Sequence, residues 1–192
     1  GNTSAQSPAF SLRIDTIAPN FPVVNAQSPQ VMLEGTGVTN GDDNRPQITT
    51  LSDGSYVVTW FGADTDGDNS VFVQKFNSDG TTQGTQVKLE RAGVTNENDE
   101  RPQVTALDNG EFAVTYLSGD WMSGSIIVQK FDSTGTPQGV SVELSGLTDA
   151  PQITTLANGE YVVTYSSTSS DWMNQSVFVQ KFDANGVSVG TQ

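Results

Sequence analysis

The 192-residue sequence contains no cysteine and no histidine, and it carries only 8 basic side chains against 22 acidic ones. Each shortage removes a class of chemistry. Without histidine and cysteine there is no Ser-His-Asp or Cys-His nucleophile system, and no ordinary zinc, haem or iron–sulfur site. No disulfide can close a loop, so the cysteines say nothing of the redox compartment. The scarcity of Lys and Arg argues against nucleic acid, whose phosphates are held by clustered basic side chains. It argues equally against an anionic membrane surface. Hydrophobic residues make up 34% of the chain, in runs as short as Tyr56-Val57-Val58, and nothing in the sequence spans a membrane. There is no starting Met and no signal-peptide pattern, and the chain is read as a monomeric module cut from a longer protein.

What remains is acid, glycine and polar turn residues. A net charge of -14 repels itself unless cations neutralise part of it. Calcium suits this composition, because it takes roughly six to eight hard oxygen ligands.

The dominant pattern is self-similarity at a period of roughly 50 residues. Arg45-Pro46-Gln47-Ile48-Thr49-Thr50-Leu51 matches Arg101-Pro102-Gln103-Val104-Thr105-Ala106-Leu107 and Ala150-Pro151-Gln152-Ile153-Thr154-Thr155-Leu156. Each is followed by Asp53-Gly54, Asn109-Gly110 or Asn158-Gly159 and then by Tyr56–Trp60, Phe112–Tyr116 or Tyr161–Tyr165. A polar loop then leads into Val71–Phe76, Ile126–Phe131 or Val177–Phe182, each ending in Gln-Lys-Phe. Asp-Gly or Asn-Gly between β-branched and aromatic runs is a strong hairpin signal, since a type I′ turn needs positive φ at both centres. A fourth strand follows in two repeats, Val87–Glu90 and Val142–Leu144.

Gln30-Val31-Met32-Leu33-Glu34 matches Gln86-Val87-Lys88-Leu89-Glu90, and is expected to supply the fourth strand of repeat three. The expected fold is all-β: antiparallel strands in three repeats forming a closed, pseudo-threefold domain over residues 30–192, with no free edge. A β-sandwich would use the same strands. Residues 1–29 stand outside the repeat as a strand, Phe10–Ile14, and a linker.

Here the sequence resembles a known family. Ser7-Pro8-Ala9-Phe10, Ile14-Asp15-Thr16 and Ala18-Pro19 resemble the end of an immunoglobulin-like extender repeat in giant bacterial RTX adhesins. The threefold Asp/Asn-Gly, Val-Thr-Trp/Tyr and Val-Gln-Lys-Phe pattern looks like repeats of such secreted proteins. One tail and three repeats together resemble the calcium-dependent peptide-binding domain of these adhesins. The resemblance implies a secreted or cell-surface module that binds free C-terminal ends of peptides on a host or neighbouring cell. It also implies calcium held by Asp15 at the domain junction.

The residues that can carry chemistry lie in loops. Asp64-Thr65-Asp66-Gly67-Asp68-Asn69 places carboxylates at alternate positions around a glycine, as in the first half of an EF-hand loop. The same residues are also good turn formers. Asp42 and Asp43, and Glu97 and Asp99, precede the Pro-Gln strands and are further candidate calcium ligands. Arg45 and Arg101 follow them, able either to pair with these carboxylates or to grip a peptide carboxylate.

Gly119-Asp120-Trp121-Met122 and Ser170-Asp171-Trp172-Met173 place a Trp-Met pair in a polar loop, where strand periodicity gives no reason for it. Trp121, Met122, Trp172 and Met173 are expected to frame a ligand pocket, with Asp120 and Asp171 binding calcium or a ligand amide. Trp60, Tyr116 and Tyr165 are equivalent and read as core. Lys75, Lys130 and Lys181 are equivalent and read as solvent-facing.

The leading expectation is therefore a calcium-dependent adhesion module, with a calcium-dependent glycan-binding module as the alternative. A structural spacer would need no exposed Trp-Met loops. A carboxylate glycosidase needs two carboxyl groups, one of raised pKa. No acidic residue sits inside an apolar strand, so the chain is expected not to be an enzyme.

Overall fold

The computed structural model describes residues 30–35, 37, 41–94, 97–119, 124–168 and 174–190. The chain divides into two compact units, Gly1–Gln30 and Val31–Gln192. The strand expected over 10–14 and the Asp15 site lie outside the described residues. No described helix is long and apolar enough to cross a membrane.

Each repeat folds into one four-stranded antiparallel meander. The first sheet contains β1 (Asn44–Thr50), β2 (Tyr56–Ala63), β3 (Asn69–Phe76) and β4 (Thr82–Leu89). The second contains β5 (Asp99–Ala106), β6 (Phe112–Ser118), β7 (Ser125–Phe131) and β8 (Pro137–Leu144). The third contains β9 (Leu147–Thr155), β10 (Tyr161–Thr168), β11 (Gln175–Phe182) and the short β12 (Ser188–Val189).

The hairpin signals act locally, with one variation. Asn109 (φ 59°) with Gly110 (φ 77°), and Asn158 (φ 75°) with Gly159 (φ 74°), are left-handed at both positions. In the first repeat only Gly54 is (φ 82°), because Asp53 Oδ1 instead accepts the Ser55 N–H at 2.9 Å and closes an Asx turn. Aromatic pairs then fix the register across the second and third strands. Tyr56–Phe76, Phe112–Phe131 and Tyr161–Phe182 stack at 5.0, 4.6 and 4.9 Å.

The glutamine of each Gln-Lys-Phe run has a structural cause that alternation alone does not give. A bulge interrupts the third-to-fourth-strand ladder between Val73 and Lys75, and between Val128 and Lys130. The buried Gln129 bridges it, its Nε2 donating to the carbonyls of Lys130 (2.8 Å) and Gln138 (3.0 Å). Gln74 and Gln180 do the same in their sheets. A second bulge interrupts each first-to-second-strand ladder, at Arg45 (φ 50°), Arg101 (φ 55°) and Ala150 (φ 52°). A non-glycine residue in this region costs about 1 kcal/mol or more, yet all three sheets adopt it.

The sheets pack face to face, and the core sits in the two seams between them. Val57, Phe61, Val71 and Val73 of the first sheet meet Phe112, Val114, Tyr116 and Ile127 of the second. Leu117, Ile126, Val128 and Leu144 of the second meet Tyr161, Val163, Tyr165 and Phe182 of the third. Trp60, Tyr116 and Tyr165 are buried, as expected of core residues.

Lys75 is not the solvent-facing residue that alternation suggested, whereas the Lys181 side chain is 40% exposed. Lys75 is 4% exposed and its Nζ donates to the Ser133 carbonyl of the following sheet at 2.5 Å. It faces solvent only in an isolated sheet, and the next repeat covers that face.

No ladder joins the first sheet to the third among the described residues. Three antiparallel sheets stacked face to face are the β-sandwich arrangement extended by a layer, and each is built like one blade of a propeller. Residues 31–35, expected at the edge of repeat three, lie against the first sheet instead. A Cβ on Gly35 would stand 2.7 Å from the Phe72 ring, Val31 and Leu33 line a cavity with Val58 and Trp60, and Gln86 Nε2 donates to the Glu34 carbonyl at 2.8 Å.

The Gln129 bridge leads to a stability prediction. Gln129→Leu should cost about 1–3 kcal/mol, because the two bulge carbonyls lose their donor in a buried setting. Urea titration should show a lower midpoint with an unchanged slope; an unchanged midpoint would refute the bridging role.

Candidate metal centre

The β2–β3 loop is organised around Asp64, whose side chain is 1% exposed. Its Oδ1 accepts the N–H groups of Asp66 (2.8 Å) and Gly67 (3.1 Å), and its backbone N–H donates to the Asp68 carbonyl at 2.9 Å. Its Oδ2 accepts from Ser70 Oγ at 2.9 Å and Lys88 Nζ at 2.5 Å. Lys88, one strand away on β4, also meets Glu90 at 2.6 Å and Asp66 at 3.6 Å. One carboxylate oxygen from each of Asp64, Asp66 and Glu90 lies within 4.8 Å of the others.

Burial pushes the Asp64 carboxyl up, but hydrogen bonds from Lys88, Ser70 and the Asp66 N–H outweigh it and hold the group well below the usual carboxylate range. Asp68 moves the other way, raised by burial and by the neighbouring Asp64.

The second sheet supplies the opposite wall. Asp99 opens β5 and is 2% exposed. Burial, together with the charges of Glu90, Asp68 and Glu97, pushes its carboxyl up to about 7. Asp99 Oδ1 and Asp68 Oδ1 are buried with no hydrogen-bond partner among the described residues. Such orphaned oxygens are costly in a protein interior unless something binds them. Two hydrogen bonds tie the loop to this wall: the Asn69 N–H donates to Asn98 Oδ1 at 3.0 Å, and Asn69 Nδ2 to Glu100 Oε1 at 3.3 Å. Oxygen donors from two sheets thus face one another across the seam, a donor set that suits a hard divalent cation.

Of the expected calcium ligands, Asp64, Asp66, Asp68 and Asp99 come together here, with Glu97 beside them on Arg91 (3.4 Å). Asp43 lies elsewhere. Its Oδ1 accepts the Trp60 indole N–H at 3.0 Å, burial and Glu34 raise its pKa against that bond, and a Cβ on Gly62 would collide with it. Asp42 is exposed. Arg101 pairs with Asp149 of the third sheet, and Arg45 lies exposed on β1. Asp120, Trp121, Met122, Asp171, Trp172 and Met173 lie outside the described residues.

Sequence reasoning missed Lys88 and Glu90. Their signal was the charged alternation of Lys88-Leu89-Glu90 at a strand end and the recurrence of Glu90 as Glu34.

No protein-family model matches the sequence, and no curated protein matches it. Among solved structures, the chain is similar to a Hadza microbial sialidase, with a TM-score of 0.57 at 14% identity over 76% of this chain and 36% of that one. Weaker similarity is found to an endo-arabinase from Bacteroides thetaiotaomicron (TM-score 0.48, 13% identity, 75% and 59% covered). A thermostable family-43 glycoside hydrolase gives a TM-score of 0.49 at 13% identity, with 79% and 55% covered. The chain spans about a third to three fifths of the length of these structures.

At this identity the sialidase likeness shows the fold alone. It still overturns the expectation that the chain is not an enzyme, because the same sheet architecture occurs in a hydrolase. The physical premise of that expectation also fails. It rested on no acidic residue sitting inside an apolar strand, and Asp99, at the start of β5, is buried with a raised pKa.

A pH dependence follows, to be measured in chelator. The unfolded chain releases the Asp99 proton near pH 4, the folded chain only near 7. Between these values the folded state holds more protons, so stability falls by a few kcal/mol as pH rises through this window and levels off above it. Asp99→Asn should flatten this slope in denaturant titrations at pH 5 and 8; an unchanged slope would exclude Asp99 as its source.

Proposed function

We propose that the chain is a calcium-dependent ligand-binding module of a secreted adhesion protein. The observation that carries this reading is the seam cluster, where Asp64, Asp66 and Glu90 converge and the buried Oδ1 atoms of Asp68 and Asp99 stand without hydrogen-bond partners among the described residues. A single ammonium, from Lys88, sits among these carboxylates. A divalent cation brings twice that charge and accepts more oxygen donors. Calcium takes the place of the Lys88 Nζ, held by Asp64, Asp66 and Glu90 with Asp68 in reach. The ion then joins a loop of the first sheet to the start of the second.

The adhesion part rests on the resemblance of the repeats and the N-terminal tail to RTX adhesins. Its ligand is the free C-terminal end of a peptide or protein on a target cell. On a chain of net charge -14 a peptide carboxylate is repelled unless a bound cation or an arginine receives it. Ring closure of the three repeats remains part of this reading, as the arrangement that would bring their loops to one end.

Calcorimetric titration of the chelated chain with calcium should show saturable binding and a raised melting temperature. Asp64→Asn should weaken binding about tenfold or more. Lys88→Met should tighten it by roughly tenfold, since displacing a charge-assisted hydrogen bond costs about 1.5–3 kcal/mol, while lowering stability in chelator. Weaker calcium binding in the Lys88 variant would sink the assignment. Peptides with free C-termini should be retained in calcium and lost on amidation; calcium binding without any peptide selection would leave the ion and remove the adhesion ligand.

A further inference from the structure

The oxygens gathered at the first seam fall into two groups that differ in one respect. Asp64, Asp66 and Glu90 already hold a cation of the chain's own, because Lys88 Nζ reaches them at 2.5, 3.6 and 2.6 Å. The second group holds none. Asp68 Oδ1, Asp99 Oδ1 and Ser118 Oγ are buried atoms without a hydrogen-bond partner among the described residues. Asp99 is 2% exposed and Ser118 0%, so bulk water does not solvate them.

Three separate segments bring these atoms together. Asp99 and Ser118 stand directly opposite one another in the ladder between β5 and β6, which puts both side chains on one face of the second sheet. Asp68 is carried towards them by the loop of the first sheet, where the next residue, Asn69, donates its N–H to Asn98 Oδ1 at 3.0 Å. The charge of Asp68 acts on Asp99, and Asp68 also meets Asp64. It therefore stands between the two groups.

The first sheet shows how an acid in this position is satisfied without a ligand. Where the second sheet has Asp99, Tyr116 and Ser118, the first has Asp43, Trp60 and Gly62. The Trp60 indole N–H donates to Asp43 Oδ1 at 3.0 Å. Gly62 leaves the room for that arrangement, since a Cβ there would collide with the same oxygen. In the second sheet the indole donor is gone, and a side chain carrying a hydroxyl stands where the glycine was. Both changes take from Asp99 what satisfies Asp43, and the serine adds a further oxygen.

A buried carboxylate oxygen without a donor is costly unless something positive binds it. Calcium takes charged and neutral oxygen ligands together and completes its shell with water. One such ion does not balance the seam. Asp64, Asp66, Asp68, Glu90, Glu97 and Asp99 stand against Lys88 and Arg91, and Arg91 is shared with Glu143 at 2.6 Å.

We propose that the seam holds a second calcium ion, bound by Asp68, Asp99 and the Ser118 hydroxyl, beside the ion assigned to Asp64, Asp66 and Glu90. This rests on the reading of the seam as a cation centre but not on the displacement of Lys88, because no group of the chain has to leave the second site. The second ion spans both sheets, with Asp68 coming from the first and Asp99 and Ser118 from the second.

The test is calorimetric titration of the chelator-stripped chain with calcium chloride at pH 8, with melting in chelator to confirm that each variant is folded. The wild type should take up two ions per chain. Asp99→Asn should remove one of the two steps, and Ser118→Ala, the milder change, should weaken the same step by about tenfold or more. Asp66→Asn should weaken the other step and keep this one.

Two ions that persist unchanged in Asp99→Asn and Ser118→Ala overturn the proposal. So does a single ion that is lost in Asp66→Asn and kept in Asp99→Asn, an outcome that leaves the first site standing. A single ion lost in both variants is one shared site and overturns it too. A single ion lost in Asp99→Asn and kept in Asp66→Asn upholds the Asp99 site and removes the assignment at Lys88. A chain that takes up no calcium overturns both.

Discussion

The seam between consecutive sheets is the contact on which the rest of this molecule depends. A four-stranded sheet built from Val-Phe-Val and Tyr-Val-Val strands is apolar on both faces and covers neither by itself. Stacking buries one face of each against the next, at roughly 25 cal/mol for each Å² of apolar surface removed from water. The aromatic pairs, the glutamine bridges and the left-handed bulges keep every sheet in one shape so that the stacking can repeat. They are conditions for the seam rather than additions to it.

The candidate metal centre is also a product of the seam. Asp64 and Asp66 belong to a loop of the first sheet, Glu90 follows that sheet's last strand, and Asp99 begins the second sheet. Stacking concentrates these carboxylates because the loops and strand ends of neighbouring sheets emerge at the same level. Lys88 offsets part of the charge, and Asp99 escapes the rest by holding its proton. The Glu34–Asp43 pair repeats the arrangement one sheet earlier, whereas Ser145 and Thr148 hold the equivalent positions at the second seam, so the acid pair is confined to the first two repeats.

The strands were largely legible from the amino-acid order, since Asn109-Gly110, Asn158-Gly159 and the alternation on either side are local signals. What lay hidden was contributed from a distance. The lysines of Gln-Lys-Phe read as solvent-facing because strand periodicity assigns a residue to a face without saying what covers it. Asp99 read as a loop acid because its burial comes from packing between two repeats. Glu90 and Lys88 were overlooked for a similar reason: they reach Asp64 across β3, and no spacing rule joins them. Residues 31–34 were recognised by pattern as a fourth strand but assigned to the wrong end of the stack. The pattern names a role, and only packing names the sheet that receives it.

The one-sided burial of the outer sheets gives the molecule an uneven internal economy. The second sheet is gripped on both faces, and it alone contributes to both core clusters. In a stack held by nearest-neighbour contacts, cooperativity spreads outward from such a unit and weakens towards the ends. Backbone amides of β6 and β7 therefore belong to the last part of the chain to open, while β11, with its valines in water, opens by fraying. The chain behaves less like one solid body than like a short one-dimensional stack, firmest at its middle sheet.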